Sequence, residues 1–240
     1  MSLNKSSMLN WHPVIAGLPI PQPRTEFVLS KENWWQYLDG ERLPDEDIEV
    51  LKAAIARLGG YPVFMRTDLS SGKHNFVDAC YVHDEDRLMK NLFGLVEQNA
   101  LHDLWFDSIA VREFIPLDYE FQAFNGLPIA RERRYFVRDG EVICHHPYWT
   151  VEAIRFYQNS KTWEDTAWRQ WLKDLNTESE GEVEILTGYA KMVASVLPGA
   201  WSVDFARSKR GEWYLIDMAV AEQSWHPPCE NKLTNEKHGS

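Results

Sequence analysis

Two aspartates toward the end of the chain, Asp204 in Val203-Asp204-Phe205 and Asp217 in Leu215-Ile216-Asp217-Met218, are each embedded in apolar residues. A carboxylate in an apolar strand is costly unless it is paired or holds a metal. The two lie 13 positions apart, with a basic turn at 208–211 between them, so an antiparallel hairpin would set them close together. Such a pair suits a hard cation, since Mg²⁺ takes one or two carboxylates along with substrate phosphates. The spacing is met equally well if both acids face solvent on alternating strands.

Cations that could meet phosphates lie upstream. Arg66 ends the apolar run Tyr61-Pro62-Val63-Phe64-Met65-Arg66, and Lys73 follows in Ser70-Ser71-Gly72-Lys73. Glycine there lets backbone approach an anion closely, although no Walker P-loop pattern is present. Arg131-Glu132-Arg133-Arg134 offers more positive charge. In a strand, Arg131 and Arg133 share one face while Glu132 and Arg134 share the other, so only one set can look into a site. Between the two groups of cations runs Val111 to Phe121, where Glu113 ends an apolar strand and Glu120 follows after six residues. A strand-end acid or carbonyl and the backbone of Phe114 and Ile115 could meet a nucleobase edge, and Glu120 could accept from ribose hydroxyls. A hairpin with two solvated carboxylates has the same spacing.

The elements that must hold these residues follow from periodicity. Helices are predicted around 31–38, over 45–58 before Gly59-Gly60, over 84–101, and at 163–175 and 183–197. Strands are predicted at 61–66, 108–115, 119–124, 128–137 and 141–148, with Asn125-Gly126 and Asp139-Gly140 as hairpin turns, and a closing hairpin pairs 201–207 with 212–219. Four prolines within residues 11–23 argue for extended backbone there, and 230–240 reads as a disordered tail. The mixed order implies an α+β fold with two lobes meeting near residue 115.

Bulk properties limit the partners. With 36 acidic and 25 basic residues the formal net charge is −11, and no run of Lys and Arg supplies a surface for long polyanions. Nucleic acid is therefore not an expected partner, whereas a single nucleotide is compatible. Three distant cysteines, Cys80, Cys144 and Cys229, make a poor disulfide framework and suit a cytoplasmic setting. No stretch is apolar enough to span a membrane. Oligomeric state is left open.

His145-His146-Pro147-Tyr148-Trp149 is a candidate substrate wall at a strand end, but its adjacent histidines point to opposite faces, so packing or capping explains them better than catalysis or a shared ion. His226-Pro227-Pro228-Cys229 shows two candidate zinc ligands where a structural site needs four, and a metal site there is rejected. Trp149, Trp201 and Trp225 are candidates to line an acceptor pocket.

Taken together over residues 60–222, these patches resemble the ATP-grasp superfamily. Pro62 to Arg66 and the loop Ser70–His74 are similar to its small-lobe strand and phosphate-covering loop, with Arg66 where lysine is more usual. Glu113 and Glu120-Phe121 match its hinge, and Asp204 and Asp217 match two of its metal ligands. The resemblance is nearest to a branch, frequent in phage and bacterial genomes, with arginines and a loop lysine at the phosphate positions. It implies ATP and Mg²⁺ as cofactors, and an ATP-grasp fold whose two α+β lobes hold ATP between antiparallel sheets. The lobes would be a small one at 60–115 and a large one at 116–229, after a short N-terminal segment at 1–59. Arg66, Lys73 and Arg134, with Arg131 also on the phosphate side, would bind and polarise the phosphates. The implied activity is a carboxylate–amine (or –thiol) ligase working through an acylphosphate on a small-molecule or peptide substrate. A small-molecule kinase and a catalytically degenerate ATP-binding module are the alternatives. Two features depart from the pattern: Ala219 stands where asparagine is usual, with Glu222 or Gln223 as conceivable substitutes, and the segment before residue 60 is too short for a full preceding domain.

Overall fold

The computed structural model describes residues 4–29, 34–157 and 167–227. The Ser7 side chain caps helix α1 (Met8–Ile15), which contains Pro13. The extended course expected over 11–23 is therefore corrected for residues 11–15. Proline removes one backbone donor, but Met8, Trp11 and Ile15 are buried on this short helix, and that burial outweighs the lost bond. Strand β1 (Thr25–Leu29), helix α2 (Trp34–Leu38) and helix α3 (Asp45–Arg57) come next. Strand β2 (Val63–Thr67) leads into a 3₁₀ turn at Lys73–Asn75 and a π-helical turn at Phe76–Cys80, then β3 (Tyr81–Val82) and α4 (Glu85–Leu101). Strands β4 (Ser108–Glu113), β5 (Tyr119–Ala123), β6 (Leu127–Ala130), β7 (Glu132–Arg138) and β8 (Glu141–Pro147) follow in series. Helices α5 (Val151–Tyr157), α6 (Ala167–Asn176) and α7 (Glu180–Val196) precede the hairpin of β9 (Ala200–Arg207) and β10 (Trp213–Val220). Parts of the helices expected at 31–38 and 163–175, and the tail at 230–240, lie outside the described residues.

Two four-stranded antiparallel sheets result, in the orders β1-β4-β2-β3 and β10-β9-β7-β8, with β5-β6 as a separate pair. The single strand expected over 128–137 is thus two strands in different sheets. The break falls at Arg131, whose N–H bonds to Asp118 O and whose carbonyl accepts from Arg207 N–H. Thr25–Leu29 pairs with β4, an inner strand of the first sheet, so the chain before residue 60 is woven into that layer. One face of this sheet packs on α3 and α4 through Val63, Met65, Ile109 and Val111 against Leu51, Ile55, Leu88 and Leu92. The second sheet packs on α7 and α1 through Tyr135, Val137, Val203 and Phe205 against Leu186, Ala190, Val193 and Trp11. Each fully buried side chain of this size contributes roughly 1.5–3 kcal/mol. Apolar packing thus covers one face of each sheet. The other face of each sheet carries charged residues, among them Arg66, Arg112, Arg134, Asp204 and Asp217.

Candidate functional site

The register of the first sheet decides which of its residues reach the cleft. Phe64 lies opposite Arg112 and Arg66 opposite Ala110, so Phe64, Arg66 and Arg112 share the face turned away from α3 and α4. That face and the second sheet enclose a cleft of about 790 Å³, part of it open to solvent. Its walls include Arg66, Lys73, Glu113, Phe114, Ile115, Asp204 and Asp217, seven of the residues singled out from the sequence.

In the second sheet a β-bulge does the positioning. Leu215 pairs with Phe205, but the next pairing is Asp217 with Asp204, so Ile216 is the extra residue. A regular ladder would have put Ile216 opposite Asp204 and turned Asp217 to the other face; the bulge sets both acids on one face. Asp204 in turn lies opposite Arg134, and Arg134 opposite His146, giving a polar row across four strands. Arg134 grips Asp204 in a two-pronged pair, Nε to Oδ1 and Nη2 to Oδ2, both at 2.7 Å. Arg66 Nη1 reaches Asp217 Oδ1 at 2.7 Å across the cleft, and Arg112 Nη1 donates to the carbonyl of bulged Ile216 at 2.6 Å. Burial opposes ionisation of Asp217. Arg66, with Arg112 and Lys73 behind it, outweighs that and holds the carboxyl below its usual range. Burial and the like charge of Arg66 pull Arg112 down to about 9.

Lys73 enters from the loop after β2. Gly72 before it has φ +61°, the left-handed region that glycine adopts freely. The following π-helical turn sits hard against α4, where a Cβ on Gly94 would collide with the Asp78 carbonyl. Lys73 Nζ lies 3.6 Å from Glu132 Oε2 and over the rings of Tyr148 and Trp149, at 3.9 and 4.7 Å from their centres. Glu132 is buried and accepts from Trp149 Nε1 at 3.0 Å. Burial pushes its carboxyl up, against the pull of Lys73. For Lys73, burial favours the neutral amine, but Glu132, Tyr148 and Asp204 outweigh it and hold the ammonium above its ordinary value.

The hinge is tied at both ends. Glu113 takes the backbone N–H and the guanidinium of Arg24 at 2.9 and 2.8 Å. Pro116 O accepts from Lys209 N–H, and Asp118 N–H donates to Arg207 O, which fixes the linker to the β9–β10 turn. Three predicted site residues, Glu120, Arg131 and Arg134, do not line the cleft. Glu120 is exposed, at the irregular pairing between Tyr119 and Phe121. Arg131 turns to the opposite side, where Nη1 donates to the carbonyls of Asp174, Leu175 and Thr177. Arg134 backs the wall by gripping Asp204. Trp149 and Trp201 are buried, while Trp225 is exposed. Of the residues considered in place of the usual asparagine, Glu222 is exposed and Gln223 is engaged by the Ser6 hydroxyl.

Glu132, Arg112 and Phe64 were not foreseen as site residues, and Tyr148 was foreseen only as part of a candidate substrate wall. Period-two alternation from Arg134 and Arg66 would have found Glu132 and Phe64. Arg112 and Tyr148 depended on strand pairing that no local pattern shows. Asp204 and Asp217 are hard oxygen donors of the kind Mg²⁺ takes. Asp217 spends Oδ1 on Arg66 and the Met218 N–H, and among the described residues Oδ2 has no hydrogen-bond partner. The pair therefore fits a cation that shares these acids with the arginines.

Two α+β lobes with antiparallel sheets and a cleft lined by cations and paired acids define the ATP-grasp class. The chain belongs to an ATP-grasp domain family, family 3 of its clade, matched over residues 44–235. Among solved structures it is similar to Cdc123 from Schizosaccharomyces pombe, at 13% identity and a TM-score of 0.59, over 90% of this chain and 83% of that one. It also resembles a RimK domain protein ATP-grasp from Sphaerobacter thermophilus DSM 20745, at 16% identity and a TM-score of 0.46. That match covers 90% of this chain but spans only 58% of the other. A D-alanine–D-alanine ligase from Bacillus anthracis gives 12% identity and a TM-score of 0.48, over 90% of this chain and 56% of that one. At such identities the likeness concerns the fold alone. No curated protein matches the chain in sequence. No helix among the described residues is long and apolar enough to cross a membrane.

Proposed function

We propose that the cleft binds Mg-ATP and that the protein is an ATP-dependent carboxylate–amine (or –thiol) ligase working through an acylphosphate, in the branch with arginines and a loop lysine at the phosphate positions. The observation that carries this reading is that Arg66 pairs with Asp217, Arg134 with Asp204 and Lys73 with Glu132, all at one end of a cleft whose other end is apolar. The base would lie against Phe64, Phe114, Ile115 and Leu127, with the strand end at Glu113 offering backbone groups to its edge. Asp204 and Asp217 would hold Mg²⁺, which when bound neutralises charge on the β- and γ-phosphates.

The chain's own residues supply position and electrostatics. Arg66 and Lys73, ordered against Asp217 and Glu132, present fixed positive charge where negative charge would develop on the transferring phosphoryl group. Arg134 orients Asp204. Tyr148 and Trp149 pack on Lys73 and restrict water around it. The substrate carboxylate oxygen would attack the γ-phosphorus and ADP would leave. An amine would then attack the acyl carbon and phosphate would leave, with no covalent protein nucleophile.

The test is release of ADP and phosphate that requires both an added carboxylate and an added amine, assayed across an amino-acid and peptide panel. Phosphate that stays on an acceptor, seen by mass spectrometry, would replace the ligase with a small-molecule kinase. A second reading, a degenerate ATP-binding module, is favoured by Ala219 at the position where a third metal ligand is usual and by the full engagement of Asp204 by Arg134. It predicts calorimetric ATP binding without turnover on any mixture.

A further inference from the structure

The polar row continues past Arg134 to His146, and beyond it lies a second cluster of a different chemical kind. Cys144 and His146 are two apart on β8 and so share a face. The segment after β10 crosses the same face: Ser224 Oγ meets Ser202 Oγ at 2.6 Å, and Trp225 O accepts from Arg134 Nη1 at 3.3 Å. His226 then packs edge-on against Phe136, with ring centres 4.2 Å apart. Its Nε2 lies 3.0 Å from Cys144 Sγ, and its ring centre is 5.1 Å from that of His146. One ligand atom from each of Cys144, His146 and His226 falls within 4.8 Å of the others. His146 Nε2 is buried and has no hydrogen-bond partner among the described residues.

We propose that Cys144, His146 and His226 form a site for a thiophilic divalent cation, Zn²⁺ above all, separate from the Asp204–Asp217 pair. One thiolate and two imidazoles are the ligands zinc prefers over Mg²⁺. In a tetrahedral zinc site, sulfur and nitrogen ligands stand roughly 3.6 Å apart, so the cluster needs only small side-chain shifts to close on an ion. Binding converts the Cys144 thiol to thiolate and releases its proton to solvent. Three protein ligands leave one position for water or a further donor. The ion would clasp the segment 224–226 to the edge strand of the sheet, beside the arginine that orients Asp204. This inference does not depend on the ligase reading, because its readout is metal content.

The test uses the full chain stripped with a chelator and dialysed against Zn²⁺ in excess Mg²⁺, with bound zinc measured by mass spectrometry. One equivalent is expected, and Co²⁺ in its place should show a thiolate-to-metal charge-transfer band. Cys144→Ser should abolish that band and the bound zinc while leaving the circular dichroism spectrum unchanged. His226→Ala gives a second check, and Asp217→Asn should keep the full equivalent. Zinc content unchanged in Cys144→Ser, or a cobalt complex of the wild-type chain without the thiolate band, would overturn the assignment. So would zinc lost in Asp217→Asn but kept in His226→Ala.

Discussion

The two faces of β7 use the same residue type for opposite ends. Arg134 on the cleft face pairs with Asp204 and has Tyr148 beneath its guanidinium, 4.6 Å from the ring centre. Arg133, one residue earlier, is completely buried between Glu178 and Glu182, at 3.0 and 2.7 Å. Ser179 caps α7 by accepting from Glu182 N–H, and that cap delivers both glutamates to Arg133. On the back face the Arg133 charge is closed against a helix by Glu178 and Glu182, and Glu178 also meets His145 Nδ1 at 3.3 Å. On the cleft face each charge is held by a group from another strand or the other lobe, with open space beside it. Buried ion pairs of either kind add little net stability; the difference lies in what else can reach them.

The largest expected effect falls on the cleft side. Asp217→Asn should lower ADP release by about 10³-fold or more, since it removes a fixed charge at the reacting phosphates, while the folded spectrum is retained. Robust turnover by that variant would remove Asp217 from the site. On the back face, Arg133→Leu takes the guanidinium away from two partly buried carboxylates, Glu178 and Glu182, and should cost about 3 kcal/mol, read as a lower urea midpoint. Turnover per folded molecule should stay within about twofold of the wild type. A large loss of turnover at unchanged stability would erase the distinction between the faces.

Acid should affect both faces with the same sign. Asp217 is held low against burial by Arg66, and Glu178 is held low against burial by His145 and Arg133. A depressed folded value means stability that is present above the unfolded carboxylate values, about 3.9 and about 4.3, and lost as pH falls through the folded ones. The melting temperature should therefore drop below about pH 4. Glu178→Gln and Asp217→Asn should each make that drop shallower, but only the second should also remove turnover. The smallest effect belongs to Arg131→Gln, which loses hydrogen bonds to three carbonyls and should cost about 1 kcal/mol with nucleotide affinity unchanged in calorimetry.

Much of this was legible before any fold was known. Helical periodicity located α3 and α4, and Asn125-Gly126 and Asp139-Gly140 marked hairpins that adopt positive φ at both residues. Alternation separated Arg134 and Glu132 from Arg131 and Arg133, because a strand has only two faces and neighbouring residues must divide between them. The family itself was recognisable from the order of its charged groups. Other features had no local signature. Thr25–Leu29 becomes a strand only because β4, far later in the chain, accepts it. Pro13 sits in a helix because that helix has a core to fill.

The residue types and their order along the chain thus nominated the groups proposed to bind phosphate and a cation. Which of them meet was settled by long-range pairing. A one-residue bulge at Ile216 turned Asp217 onto the face of Asp204, and a helix cap drew Arg133 out of contention. The segment after β10 carried His226 across the sheet to Cys144, joining residues 82 positions apart. Register and chain crossing depend on the sum of distant contacts, so no local window of sequence contains them.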